Sequence, residues 1–237
     1  MSTAALLVFA RCAGFASRAP GFSHPSIPHP LRLGLAIFLT FPIAQGVRAP
    51  QIDGVALVLA LATEFLIGGA IGIGASVLYD GAYAGGRMLD DYVGVKAIAP
   101  NVALVAPSGF GRVWSIAFTG GFFLLGAYRV TVLAFAQSFT RFPPGTPFEP
   151  HAWASFAAAL AGTIAVVAIT VAAPSIALAF VVQVALAALS RTIPRFATFP
   201  LSFPLVFGAV LLVTAFSIPL LAARAGQPIV LYPGSTP

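Results

Sequence analysis

"WASFAAALAGTIAVVAITVAAPSIALAFVVQVALAAL", Trp153 to Leu189, is an unbroken run of 37 residues with no charged side chain. As a helix it would extend roughly 55 Å at about 1.5 Å per residue, against a bilayer hydrocarbon core of about 30 Å. The run belongs in a membrane, yet it is too long for one simple crossing. Pro174, in "VAAPSIA" near its middle, is therefore expected to break the helix into a sharp kink or a tight hairpin, with a strongly tilted, projecting helix as the other solution.

The rest of the chain has the same character. Hydrophobic residues make up 59% of it and charged residues 8%, with a mean hydropathy of +0.99. A soluble domain carries roughly 25% charged residues, so a soluble fold could not cover its surface with so few. Further apolar runs occupy about Thr3 to Ala19, Leu31 to Val47, Gly54 to Leu78, Val113 to Phe139 and Leu201 to Ala223. The expected architecture is an all-α membrane protein of about six apolar helical segments, several kinked or hairpin-like, in a single domain over residues 1–237. Connectors such as "RAPGFSHPSIPHP", "RAPQID" and "RFPPGTPFEPH" are rich in proline, which lacks the backbone donor a helix needs. Pro200 and Pro204 in "FPLSFPLVF" are read as helix-breaking, giving the last run an irregular start, and Pro219 as kinking its end. The interval from Tyr79 to Arg112 is the longest polar stretch, is itself half apolar, and is expected to pack against the helices. The amino terminus does not read as a signal peptide, because no basic residue precedes its apolar run and Arg11 interrupts it; it is expected to be the first helix.

The net charge of +6 comes from eleven arginines and Lys96 against six acids. These cations are scattered beside apolar segments instead of forming a patch, which argues against a nucleic-acid partner and for flanks of membrane helices. In a six-helix scheme, alternate connectors hold Arg18, Arg32, Arg87, Lys96, Arg112, Arg191 and Arg195 on one side and Arg48, Arg141 and Arg224 on the other. The positive-inside bias then places the amino terminus outside the cytoplasm.

Chemistry has few footholds. His24 and His29 share a proline-rich connector and His151 stands alone, whereas a zinc site needs three or four ligands. The single Cys12 excludes an internal disulfide and any cysteine-based cluster, and reads as a small buried hydrophobe. No nucleophile elbow is present. The expectation is no catalytic residue, no metal and no cofactor. "GGAIGIG", Gly68 to Gly74, lacks the following lysine of a phosphate loop; Gly68 and Gly72 are read as a small-residue face that admits a neighbouring helix. Asp90 and Asp91, near Asp80 and Arg87, point about 100° apart on a helix and are expected in a solvated turn or against a partner chain.

Charges inside apolar runs are the sharpest local signal, since one at the bilayer centre costs roughly 2.5–3.5 kcal/mol on insertion scales. Arg11, Glu64 and Arg129 are the candidate intramembrane polar positions. Glu64 is expected to pair with Arg11 or Arg129, either as a buried ion pair that fixes helix register or as part of a proton relay.

Three blocks carry a resemblance to a known family. They are "APGFSHPSIPHPLRLGLAIFLTFPIA" (Ala19 to Ala44), "EFLIGGAIGIGASVLYDGAYAGGRML" (Glu64 to Leu89) and "APSIALAFVVQVALAALSRTIPRFATFPLSFPL" (Ala173 to Leu205). In order and spacing they resemble the FliR/SctT family, the export-gate component of flagellar and virulence type III secretion systems. Between Asp90 and Pro107 the chain departs from the family's pattern. The resemblance implies a non-enzymatic, multi-pass subunit in the bacterial inner membrane, at the base of a flagellum or secretion apparatus. It implies assembly with other helical-hairpin export-gate subunits in a hetero-oligomer that passes unfolded secreted proteins. In that setting the turn after the first helix, with Ser23 and Ser26, would touch neighbouring subunits. The competing class is a secondary transporter of a small solute, which would place a site at the midplane between broken helices.

Overall fold

A computed structural model of the chain describes residues 2–20, 28–94, 109–146, 149–192, 199–223 and 230–234. Regular structure among them is entirely helical. The elements are α1 (Thr3–Arg18), α2 (His29–Gly46), α3 (Gly54–Val93), α4 (Gly109–Leu124), α5 (Ala127–Arg141), α6 (Pro150–Ser190) and α7 (Phe199–Ala222). Among the described residues, three helices are long and apolar enough to cross a membrane: α3, α6 and the Ser202–Leu221 part of α7. A fourth span results if α4 and α5 count as one broken crossing.

The boundaries follow local chemistry. Ser2 caps α1, its hydroxyl accepting from the Ala5 amide at 3.3 Å, and the Ala19 amide closes the other end on the Phe15 carbonyl at 2.8 Å before Pro20. Pro30 sits in the first turn of α2, where its missing N–H has no intrahelical partner to lose.

Four expectations about segmentation are corrected. The run from Val113 to Phe139 is two helices, α4 and α5, because Gly126 between them takes φ +77°, a left-handed conformation that interrupts a right-handed helix. The polar interval after Leu78 is not a connector at first: α3 continues to Val93, carrying Asp80 and Asp90 on a helix. Pro174 does not end a helix, since α6 passes through it as one element of 41 residues, and no hairpin forms there. Pro204 likewise lies inside α7, and Pro200 is the second residue of that helix, a first-turn position where proline is tolerated. A proline in an apolar helix removes one backbone bond but leaves the remaining ladder, and chains in lipid tolerate this because extended alternatives would strand many more polar groups. His24, Ser23 and Ser26 lie outside the described residues.

The chain divides into two compact units, and α3 and α6 contribute to both. Unit 1 comprises Met1–Val77, Gly126–Ala161 and Gln227–Pro237. Its core is built around α1, whose Leu7, Val8, Cys12 and Phe15 recur at helical spacing on the buried side. Phe15 stacks on Phe135 of α5 with ring centroids 4.2 Å apart, and Phe139 meets Phe135 edge-on at 5.5 Å.

Unit 2 comprises Leu78–Leu125 and Gly162–Gly226. Its core gathers Ala82, Leu89 and Val93 of α3, Phe110, Trp114 and Phe118 of α4, Val171, Ala172 and Ala179 of α6, and Val206, Val210 and Leu221 of α7. Small residues set the spacing. A β-carbon on Gly85 would stand 2.6 Å from the Ala168 carbonyl oxygen, and one on Gly81 would stand 2.7 Å from Val167 Cβ. Asp90 is buried and accepts a hydrogen bond from the Phe110 amide at 3.2 Å, satisfying one of the unpaired donors at the start of α4. That corrects the reading of Asp90 as part of a solvated turn; Asp91, one residue on, is exposed.

Candidate functional site

The charged positions of unit 1 converge on one point. Arg11 comes from the middle of α1 and Glu64 from the first half of α3, and the two side chains are 0% and 2% exposed. Arg11 Nε donates to Glu64 Oε2 at 2.6 Å. Its Nη1 donates to the Ser138 carbonyl at 3.1 Å and reaches the Ser138 hydroxyl at 3.5 Å, while Nη2 donates to the Phe142 carbonyl at 2.8 Å. The guanidinium carbon also lies 4.4 Å from the centre of the Phe139 ring. Ser138 and Phe142 mark the carboxyl end of α5, where the Ser138 carbonyl also accepts the Phe142 amide at 2.8 Å and the helix dipole is negative, so a cation is favoured there.

Glu64 has a second partner. The connector "RFPPGTP" turns at Pro143–Thr146, where the Thr146 amide donates to the Pro143 carbonyl at 3.2 Å. Gly145 takes φ +81°, and this left-handed turn presents its amide to Glu64 Oε1 at 3.0 Å. A side chain at that φ would be strained, so the glycine is what allows the loop to reach the carboxylate.

Taking two charges out of water costs several kcal/mol per ion even after relaxation, and the cost is recovered only if nearly every donor and acceptor is satisfied. Here all three guanidinium nitrogens and both carboxylate oxygens have partners. The arrangement joins α1, α3, the end of α5 and the α5–α6 loop in one polar knot. Such a knot is suited to fixing register, and a relay would require Glu64 to release Arg11 to exchange a proton.

Of the three candidate charges the structure brings Arg11 and Glu64 together and leaves Arg129 apart. Arg129 is exposed on α5, and its Nε donates to the hydroxyl of the neighbouring Tyr128 at 3.1 Å. Gly68 and Gly72 face α1. A β-carbon on Gly68 would collide with the Arg11 carbonyl oxygen, and one on Gly72 would stand 2.9 Å from the Phe15 carbonyl oxygen. Gly14 of α1 answers them, its absent β-carbon falling on the carbonyl of Phe65. In lipid the apolar surface of a helix gains little from burial against another helix, so close backbone approach and interhelical hydrogen bonds carry most of the adhesion. The glycine contact and the ion pair therefore act on the same two helices, one turn apart.

Sequence reasoning missed Gly14, Ser138, Phe142 and Gly145. Gly14 has no second glycine at the four-residue spacing, and the other three contribute mainly backbone atoms, which side-chain identity does not announce. His29 and His151 are exposed at the starts of α2 and α6, and among the described residues no three of His, Cys, Asp and Glu are grouped to hold a metal ion.

An all-helical, multi-pass membrane protein with its buried charges matched internally is the class these features define. Comparison with known proteins narrows the class: a family model described as "Bacterial export proteins, family 1" matches residues 2–229. The chain belongs to this family, as a membrane component of a bacterial export apparatus that assembles with other subunits. It is 25% identical to the "Flagellar biosynthetic protein FliR" of Bacillus subtilis (strain 168), over 92% of this chain and 88% of that protein. It is 24% identical to the protein of the same name in Aquifex aeolicus (strain VF5), over 91% and 85% of the two chains. Against that of Escherichia coli (strain K12) it is 26% identical over 87% and 80%.

Proposed function

We propose that residues 1–237 form one integral-membrane domain that serves as a structural, non-enzymatic subunit of a flagellar type III protein export gate. The subunit resides in the bacterial inner membrane at the base of the flagellum. It assembles with helical-hairpin gate subunits into a conduit for unfolded secreted proteins. The observation that carries this reading is the match, over most of each chain, with proteins named for flagellar biosynthesis. Two structural features agree with it. The buried ions of unit 1 are engaged with one another, which suits a scaffold more than a catalyst. Bulky apolar side chains such as Phe38 and Phe41 of α2 and Phe216 of α7 are more than 70% exposed on the isolated chain, surface available to lipid or sister subunits.

The transporter reading drew on Pro174 and Pro204 as helix breaks, and α6 and α7 continue through both. Chromosomal deletion and complementation test the proposal. The deletion strain is expected to lose swimming and the appearance of flagellar rod and filament proteins outside the cell, with both restored by the gene on a plasmid. Gentle detergent extraction should recover the chain with other membrane subunits. A motile, normally secreting deletion strain, or a chain that in liposomes moves a metabolite unaided, would overturn it.

A further inference from the structure

The segment Val230–Gly234 packs with unit 1, although the helix that precedes it in sequence, α7, packs with unit 2. It meets a cleft made by a bare backbone face and three aromatic rings. The bare face is Gly74 of α3: a β-carbon there would stand 3.3 Å from the carbonyl oxygens of both Val230 and Leu231, and 3.3 Å from Cζ of Phe156. The rings form a chain. Trp153 meets Phe156 edge-on at 5.9 Å and Phe142 at 5.4 Å, and Tyr232 closes edge-on against Phe142 at 5.8 Å. Leu231 and Tyr232 are 4% and 9% exposed, whereas Val230 reaches 36%. Pro233 and Gly234 form a turn, Gly234 with φ +74°, and a β-carbon on Gly234 would stand 2.8 Å from Nη2 of Arg141.

We propose that Gly74, Phe142, Trp153 and Phe156 form a binding site for an extended aliphatic–aromatic peptide, and that the chain's own Val230–Gly234 is its occupant. Tyr232 acts through this site as a positioning residue for the charge pair. Phe142 holds Tyr232 with its ring and Arg11 with its carbonyl oxygen, and three residues later Gly145 holds Glu64. Docking of the segment thus fixes the α5–α6 loop from one side while Arg11 and Glu64 fix it from the other. An attachment resting on two buried side chains is a locally weak unit compared with the helices it touches, so it can open without unfolding them. Nothing in this depends on which substrates are exported.

Trp153 reports on the cleft, and with Trp114→Phe in the background it is the remaining tryptophan of the two in the chain. In the purified full-length protein, Tyr232→Ala is expected to shift Trp153 emission to longer wavelength and to raise its quenching by iodide. Tyr232→Phe keeps the ring and should leave both unchanged. In a chain lacking residues 230–237, the synthetic peptide Val-Leu-Tyr-Pro-Gly should reverse the shift saturably, and Val-Leu-Ala-Pro-Gly should not. The melting-temperature losses of Tyr232→Ala and Glu64→Gln should be non-additive, because both act on the same loop. Unchanged emission in Tyr232→Ala, or a loss of signal in Tyr232→Phe equal to that in Tyr232→Ala, overturns the site. Additive melting losses overturn the link to the charge pair. If the shortened chain fails to fold, the full-length Ala and Phe variants decide the matter alone.

Discussion

Arg11 Nε and Glu64 Oε2 lie 2.6 Å apart in the interior of unit 1, on helices whose backbones touch one turn away at Gly14 and Gly68. The two contacts support each other. Without the glycines, α1 and α3 would stand further apart and the guanidinium would not reach both Glu64 and the end of α5. Without the ion pair, the close approach would have no fixed register along the helix axes.

The charge pair predicts an asymmetry among variants. Arg11→Ala leaves the Glu64 carboxylate buried without its cation and is expected to cost about 3–5 kcal/mol, enough to abolish accumulation of a marginally stable protein. The double variant Arg11→Met with Glu64→Leu, which buries no charge, should be more stable than Arg11→Ala alone. Thermal melts of the detergent-solubilised protein check the order. If Glu64→Gln accumulates, assembles and exports as the unaltered protein does, Glu64 carries no proton.

Glycines on the α1–α3 contact should behave unlike glycines elsewhere. Gly68→Ala or Gly14→Ala forces a methyl group into a backbone carbonyl and is expected to destabilise by about 1–3 kcal/mol. At Gly120, Gly162 and Gly208 a β-carbon meets nothing within 4 Å, and alanine there should be neutral or stabilise by up to about 1 kcal/mol through helix propensity. A melting-temperature comparison across the five single variants distinguishes the groups.

Asp90 and the start of α4 give a local prediction. Asp90→Ala removes the acceptor for the Phe110 amide and is expected to cost about 0.5–2 kcal/mol, the usual value of a lost helix cap. Hydrogen exchange should show the Phe110 amide losing protection first, with amides in the middle of α4 little changed.

Trp114 lies at the centre of the unit 2 core with its indole N–H buried and without an acceptor. Trp114→Phe relieves that donor while keeping most of the ring, so it should cost less than about 1.5 kcal/mol. Trp114→Ala opens a cavity and should cost about 3–5 kcal/mol. Chemical or thermal denaturation of the two variants side by side checks the gap.

Membrane class and helical content were legible because they rest on composition and on runs such as Trp153–Leu189, which no local detail can reverse. Helix ends were less so. Pro174 and Pro204 looked like breaks, yet a proline in an apolar helix costs one hydrogen bond and the alternative in lipid costs several. Gly126, which does interrupt a helix, was inconspicuous among many glycines because only its φ distinguishes it. Glu64 declared itself as a charge in an apolar run, but the choice between Arg11 and Arg129 is a question of which helices meet, and sequence does not order helices in space. Gly68 and Gly72 carried the four-residue spacing of a packing face, while Gly14 and the backbone donor of Gly145 carried no signal until α1 and the α5–α6 loop were seen against α3.

Cys12 sits 0% exposed on α1 in the core of unit 1, and it is the single thiol of the chain. The native protein is therefore nearly silent towards water-soluble maleimides and spin labels without any engineering. Cysteines introduced one at a time along α2, α6 and α7 can be charted against that blank background, which opens a direct route to the depth of each helix in the lipid.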